Sequence, residues 1–321
     1  MAVTEVLDNI FCIEVPLPKN PLKFLNAYFI RGGKRNMLID TGFNLPVCAE
    51  ALRSGLDALG VSMATTDIFL THMHSDHTGL VDAVRDPAGI VWASELDAEV
   101  IRIAGSEGFW DELERLWSKF GFTEDSHTHP GRKFAADGKF PMTIVAEGMS
   151  ISVGDYAFQV LETPGHTRGH LCLYEAKRGI LVAGDTILAD ITPNISVGVN
   201  NLNPLGDYFR SLERLEKLTV NHTLSAHRRR PASLYERIAE LRVHHRQRLD
   251  EALSIVRASE GISAAEAAAR MSWDITSRTW EEFPLSQKWF AIGEAAAHLQ
   301  LLAAEGTVRR REENNVWIYE A

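Results

Sequence analysis

Apolar residues in the first 45 positions come in short runs broken by turn residues. Thr4-Glu5-Val6-Leu7 and Ile10-Phe11-Cys12-Ile13 flank Asp8-Asn9, which predicts a hairpin. Residues 27–30 and 36–39, joined through Arg31-Gly32-Gly33-Lys34, predict a second strand pair that ends in Asp40-Thr41-Gly42. Val47, Leu52, Leu56 and Leu59 fall near helical spacing, so a helix is expected over 46–59. Residues 67–71 read as a short buried strand running straight into a histidine cluster.

Beyond the cluster the pattern predicts a strand (89–93), a helix (95–103) and a more irregular helical stretch (105–122). Short strands then dominate at 143–145, 150–153, 158–161, 171–174 and 180–182, with turn signals such as Gly154-Asp155. This spacing suggests a largely antiparallel sheet with helices inserted between groups of strands. A helix over 207–218 and a strand over 223–226 follow. After Arg230 the pattern changes. Leu234, Ile238, Leu241, Leu249, Leu253 and Val256 form one stripe, predicting a long helix over 231–259. Ser263-Ala264-Ala265-Glu266 is a capping box opening a second helix. A third spans 290–305 and is closed by Gly306. A hairpin around Glu313-Asn314-Asn315 ends the chain. Three helices and a hairpin are the order of a winged-helix unit, so two domains are expected, 1–230 and 231–321.

Composition narrows the class. Hydrophobic residues at 45% and charged residues at 24% describe an ordinary globular protein and exclude whole-chain disorder. Lys+Arg number 33 against 43 Asp+Glu, a net charge of −10, which argues against nucleic acid as a general partner. No apolar run approaches the roughly 18 residues of a membrane span. The first residues lack the basic-then-apolar plan of a signal peptide, and three scattered cysteines are too few for a disulfide framework. The cytoplasm is the expected compartment. The 12 histidines are not randomly placed.

Thr71-His72-Met73-His74-Ser75-Asp76-His77 puts four potential ligands immediately after a strand. His72 and His74, two apart, can reach one ion from an extended turn, while Asp76 and His77 can hold a second. Three further pieces recur at strand ends: Gly165-His166, Gly184-Asp185 and Ala226-His227. A rigid sheet edge is a sound place for such ligands, because the scaffold fixes them. Imidazole and carboxylate donors suit zinc, iron and manganese.

This H-x-H-x-D-H run, then Gly-His, Gly-Asp and a final His, resembles the full motif set of the metallo-β-lactamase-fold hydrolases over residues 1–230. The resemblance implies an αβ/βα four-layer sandwich of the α/β class, followed here by a helical, winged-helix-like domain. It implies two divalent cations, most simply zinc. His72, His74 and His166 would hold the first, Asp76, His77 and His227 the second, and Asp185 would bridge them. Asp40, at the end of an early strand, would be structural or support a ligand rather than bind metal itself. The implied chemistry is attack by a metal-bridging hydroxide, with Asp76 orienting the nucleophile or taking its proton. A bridging aspartate in place of cysteine weighs against true β-lactamase activity and toward the glyoxalase II, lactonase and ribonuclease branches. Ile191-Thr192-Pro193-Asn194-Ile195-Ser196 and His244-His245-Arg246-Gln247-Arg248-Leu249 resemble the hydroxyacylglutathione-hydrolase-like and lactamase-beta-2-like proteins.

Departures from the family pattern mark expected substrate contacts. Arg228-Arg229-Arg230 follows the last ligand where the family has a His-Gly-x-Pro turn, and Arg228 is expected to face substrate, since guanidinium clamps carboxylate or phosphate. Thr186 stands where many relatives carry histidine and is expected in the pocket. Trp110, with Phe109 and Trp117, is a candidate apolar wall. Residues 273–290 hold three more tryptophans, suited to packing, a dimer interface or a pocket wall. His170 reads as a ligand support or an ordinary strand residue, His127-Thr128-His129 as loop, and His244 and His245 as structural or interdomain residues. The leading function is hydrolysis of a small ester, thioester or lactone. No membrane partner is expected, and a homodimer through the C-terminal domain would suit its aromatic content. The alternative is a phosphodiesterase or ribonuclease that uses the winged helix, with Arg309-Arg310-Arg311, to hold nucleic acid. A regulator that only senses ligand fits less well, because the ligand set is complete.

Overall fold

In a computed structural model, residues 3–125, 129, 131–134, 138–199, 201–274 and 279–321 are described. The opening hairpin forms as the alternation predicts. β1 (Val3–Leu7) and β2 (Ile10–Pro16) pair antiparallel, and Asn9 takes the left-handed turn at φ 58°. β3 (Phe24–Ile30) and β4 (Asn36–Ile39) extend the sheet antiparallel. The direction then changes. α1 (Pro46–Ala58) carries the chain back, so β5 (Thr66–Phe69) joins β4 in parallel. Short α2 (Ser75–Thr78) and α3 (Val81–Val84) precede β6 (Val91–Ala93). α4 (Glu95–Ile103) and α5 (Glu107–Lys119) precede β7 (Thr143–Ile144), and both strands also add in parallel.

The second sheet runs β12-β11-β10-β9-β8. β8 (Ser150–Val153), β9 (Tyr156–Glu162), β10 (Leu171–Glu175) and β11 (Ile180–Gly184) are antiparallel neighbours. β12 (His222–Ser225), reached through α6 (Pro204–Glu216), pairs parallel with β11. The expected antiparallel sheet is thus corrected in part: wherever helices fill the connection, the next strand returns in the same direction.

Three clusters define the layers. Ile10, Tyr28, Phe69, Phe158, Leu173 and Val182 fill the space between the two sheets. Phe29, Leu38, Leu52 and Leu56 pack α1 on the outer face of the first sheet. Leu161, Cys172, Leu181, Tyr208 and Leu212 pack α6 on the outer face of the second. β10 and β11 are buried at every position because both of their faces are covered. The order is therefore helix, sheet, sheet, helix.

The C-terminal segment comprises α7 (Leu234–Arg257), α8 (Ala264–Arg270), α9 (Leu285–Ala304) and the hairpin β13 (Arg309–Glu313) with β14 (Val316–Glu320). The capping box at Ser263 and Glu266 forms in both directions. α9 starts before the expected residue 290, and α5 is a regular helix rather than an irregular stretch. The cluster outside the second sheet continues without a break into this segment, joining Trp110, Trp117 and Tyr208 to Leu234, Trp289 and Tyr319. All three cysteines are free and buried. Among the described residues no helix is long and apolar enough to cross a membrane.

Candidate metal centre

The loops after β4, β5, β9, β11 and β12 meet at one edge of the sandwich. Asp40, at φ 59° just past β4, ties the first two together. Its Oδ1 accepts the Thr71 N–H (2.9 Å), and its Oδ2 accepts the Thr71 hydroxyl and the His77 Nδ1–H (both 2.7 Å). The H-x-H-x-D-H run then splits. His72 stays in the extended segment after β5, His74 forms the N-cap of α2, and Asp76 and His77 lie in its single turn.

Two donor groups result, each with its ligand atoms within 4.8 Å of one another: His72, His74 and His166, and Asp76, His77 and His227. A third, His72, His77 and Asp185, joins them. His72 Nε2 lies 3.0 Å from His74 Nδ1 and 3.2 Å from His166 Nε2. His77 Nε2 lies 3.3 Å from His227 Nε2. The carboxylate of Asp185 stands between the groups, with Oδ2 3.5 Å from His166 Nε2, and Oδ1 3.3 Å from His227 Nε2 and 3.6 Å from His77 Nε2.

The outer nitrogens assign the tautomers. His77 Nδ1–H donates to Asp40, His166 Nδ1–H to the Asn194 carbonyl (2.7 Å) and His227 Nδ1–H to the Phe24 carbonyl (2.9 Å). With Nδ1 carrying the proton, the neutral form of each ring, which is the form that binds a cation, turns an Nε2 lone pair inward toward the other rings and a carboxylate. Asp185 Oδ1 is buried and makes no hydrogen bond. Converging lone pairs around an orphaned carboxylate oxygen are what a divalent cation satisfies, and the donor set fits zinc and its first-row neighbours.

The charge environment differs between the groups. Burial, reinforced by the neighbouring histidines, holds His72 and His74 well below the usual imidazole range, and burial also lowers His166. At His77 burial opposes protonation, but Asp40, Asp76 and Asp185 outweigh it and push the ring up to about 10. Against the same burial, Asp185 and Asp76 raise His227. Asp185 itself is held well below the usual carboxylate range, because His227 and His77 outweigh its burial.

Other residues expected at the site fall elsewhere. Thr186 is corrected: it is fully buried behind the centre, its hydroxyl against Thr163 Oγ1 and His170 Nδ1, and cannot line a pocket. Trp110 is likewise an anchor rather than a wall, because it is only 5% exposed and donates to the Ala104 carbonyl (2.8 Å). Arg228 sits at φ 54°, and this bend turns its guanidinium onto the Pro21 carbonyl. Arg229 pairs with Asp190. His170 is a support: its Nε2 accepts the Asp185 N–H (3.0 Å), while Nδ1–H donates toward Thr163 and Thr186. His127 and Thr128 lie outside the described residues. His129 is in a loop, but its ring is packed among Trp110, Trp117 and Trp289. His245 meets His298 between α7 and α9 at 3.2 Å, an internal contact of the C-terminal segment.

One residue escaped the sequence reading. Asp97, in the first turn of α4, is buried and accepts hydrogen bonds from the Met73 N–H (2.9 Å), the Gly169 N–H (2.9 Å) and the Thr167 hydroxyl (2.7 Å). It stitches the loop carrying His72 and His74 to the loop carrying His166. Its only sequence signal is a carboxylate shortly after the N-cap Ser94, which reads as ordinary helix-end chemistry.

Residues 21–227 match the metallo-beta-lactamase superfamily, and residues 260–321 match the metallo-beta-lactamase-like C-terminal domain. The chain is 25% identical to the probable metallo-hydrolase YqjP of Bacillus subtilis, with 96% of each chain covered. An acyl-coenzyme A thioesterase of Gallus gallus is 29% identical over 60% of this chain and 67% of its own length. Among solved structures, a metallo-beta-lactamase family protein from Thermus thermophilus superposes with a TM-score of 0.83 at 29% identity, covering 98% of this chain and 99% of its own. A beta-lactamase domain protein from Burkholderia ambifaria superposes with a TM-score of 0.82 at 24% identity, covering 99% of this chain and 94% of its own. With a motif-bearing edge that matches over most of its length, the chain belongs to the metallo-beta-lactamase superfamily and is a metal-dependent hydrolase.

Proposed function

We propose that this protein is a dinuclear hydrolase of a small thioester, ester or lactone, with an acyl thioester the leading substrate. The observation that carries the reading is the place of Asp185, whose two carboxylate oxygens face the two donor groups and whose Oδ1 is buried without a hydrogen bond. His72, His74 and His166 would hold one cation, Asp76, His77 and His227 the other, with Asp185 common to both. Divalent cations there, zinc in the simplest case, supply a Lewis acid for the carbonyl oxygen and lower the pKa of water. The chain's own residues do the rest. Asp76, whose Oδ2 lies 3.4 Å from His227 Nε2 in the second donor group, would orient the attacking water or take its proton. His170 and Asp40 keep the ligand atoms aimed inward. A thiolate departs without protonation, so thioesters ask least of such a site. The relatives named acyl-coenzyme A thioesterase support this choice.

The C-terminal segment reads as winged-helix-like. Ile262 pairs with Tyr319 in a single antiparallel bridge beside the hairpin. Its arginines favour a structural use over nucleic acid. Arg310 stacks on Trp317 and donates to Gln300, and Arg311 pairs with Glu313 and Glu320.

The test is a panel of acyl thioesters, aryl esters, lactones and phosphodiesters assayed with metal analysis. Wild type should prefer a carbonyl substrate. Asp185→Ala should lower its turnover about a thousandfold or more, the factor that several kcal/mol of lost transition-state stabilisation implies. Full activity in Asp185→Ala, or a preference for phosphodiesters, would overturn the reading.

A further inference from the structure

The Ile191-Thr192-Pro193-Asn194-Ile195-Ser196 motif has no catalytic atom, yet Asn194 supplies the carbonyl that orients His166 (2.7 Å). Residues 187–196, which leave the centre directly after Asp185 and Thr186, contain no helix or strand. Their internal bond from Ser196 reaches the Asn194 side chain and not that carbonyl, so contacts from elsewhere must help to hold it. Both ends are gripped by the C-terminal segment. Arg237 of α7 donates from Nε to the Leu188 carbonyl (2.6 Å) and from Nη2 to the Ile191 carbonyl (3.0 Å), and only 14% of its side chain is exposed. Ser196 donates to the Asn194 side chain (2.6 Å), and Gly293 of α9 lies flush against Ser196. A Cβ at Gly293 would come within 2.5 Å of Ser196 Oγ and 3.1 Å of Trp117 Cη2, so this contact leaves no room even for a methyl group.

We propose that the C-terminal segment is a fixed part of the metal centre's support. Arg237 from α7 and Gly293 from α9 hold residues 188–196 so that the Asn194 carbonyl orients His166. Arg237, Ser196 and Gly293 are positioning residues that act through the Asn194 carbonyl on His166 of the first donor group; among the described residues the same stretch meets the second group's loop only through Asp190, which pairs with Arg229 two residues past His227. Partners that orient a ligating imidazole typically alter metal affinity or activity by about 10–100-fold when removed. The assignment of two cations rests on the function proposed above; the geometry of the support does not.

Two readouts separate these ideas. Zinc titration against a chromophoric chelator counts the equivalents bound and their affinities. In the metal-free chain, the His166 Nδ1–H proton signal reports the bond to Asn194 directly. Wild type should bind two equivalents, and fewer would sink the dinuclear assignment alone. Arg237→Met should weaken one equivalent about 10–100-fold and the other clearly less. It should also broaden or shift the His166 signal. Arg237→Lys should recover part of both effects, since ammonium can still reach one carbonyl. Ser196→Ala, which is small enough to fold regardless, should show a smaller change in the same direction. If Arg237→Met and Ser196→Ala match wild type in both zinc affinity and His166 signal, the support does not exist, whatever their unfolding temperatures. Should Arg237→Met not fold, Ser196→Ala decides alone.

Discussion

At the residue scale, the candidate ligands declare themselves more plainly than their supports. His72, His74, Asp76, His77, His166, Asp185 and His227 stand out in the chain because metal chemistry needs those residue types and strand ends place them. Asp97 is an ordinary residue until the loops are folded together, and only the fold chooses between the two readings of His170. Asp97 yields a pH prediction. Burial pushes its carboxyl from 3.8 up to about 6, against the three hydrogen bonds it accepts. Between those values the folded chain keeps a proton that the unfolded chain has released, so this group's contribution to stability falls as pH rises through the window. Asp97→Asn cannot titrate. Thermal unfolding of both proteins should therefore show the wild-type advantage shrinking from about pH 4 to pH 6. A difference that stays flat, or grows, would show that Asp97 does not hold this proton. Gly169 follows the same logic, since its N–H donates to Asp97 at 2.9 Å and a side chain there would run into Ser94 and Asp97.

At the element scale, local pattern located most strands and helices but not strand direction. The hairpin of β1 and β2 is legible because alternation and Asp8-Asn9 agree within a dozen residues. The parallel pairing of β4 with β5 is not, because it depends on where α1 packs. α9 shows the other limit of pattern. Its buried residues run almost without interruption from Trp289 to Leu302, so it has no polar face to give away its orientation. Trp289 is the key residue of this helix, with its ring centroid 4.6 Å from Trp117 and 4.8 Å from Phe122. Trp289→Ala should cost about 3–5 kcal/mol by denaturant unfolding, the range for losing a large buried aromatic. A loss below about 1 kcal/mol would mean that the α5–α9 contact is not a core contact.

At the scale of the whole molecule, the expected division at residue 230 meets a core that crosses it. Leu161, Leu181 and Tyr208 belong to the same cluster as Leu234, Ile292 and Trp289. A chain ended at residue 230 would expose that apolar surface, so it should aggregate or lose cooperative unfolding, while the full chain unfolds in one transition. A soluble, cooperatively folding fragment that still bound zinc would contradict this. By itself the sequence determined the candidate ligand residues, the order of elements and the acidic balance, and its motif set resembled one fold family. The first three follow from residue type, short-range periodicity or strand-end position, which are properties of neighbouring residues; the family rests on the resemblance of the motif set. Only the tertiary structure decided which imidazole nitrogen faces inward, that Thr186 and Trp110 are buried supports, that Asp97 joins two ligand loops, and that α7 and α9 grip the stretch that orients His166. Those facts are set by partners far apart in the chain, 94 residues for His72 and His166 and 203 for His227 and Phe24, brought together only when two sheets pack and the second is covered by the C-terminal helices.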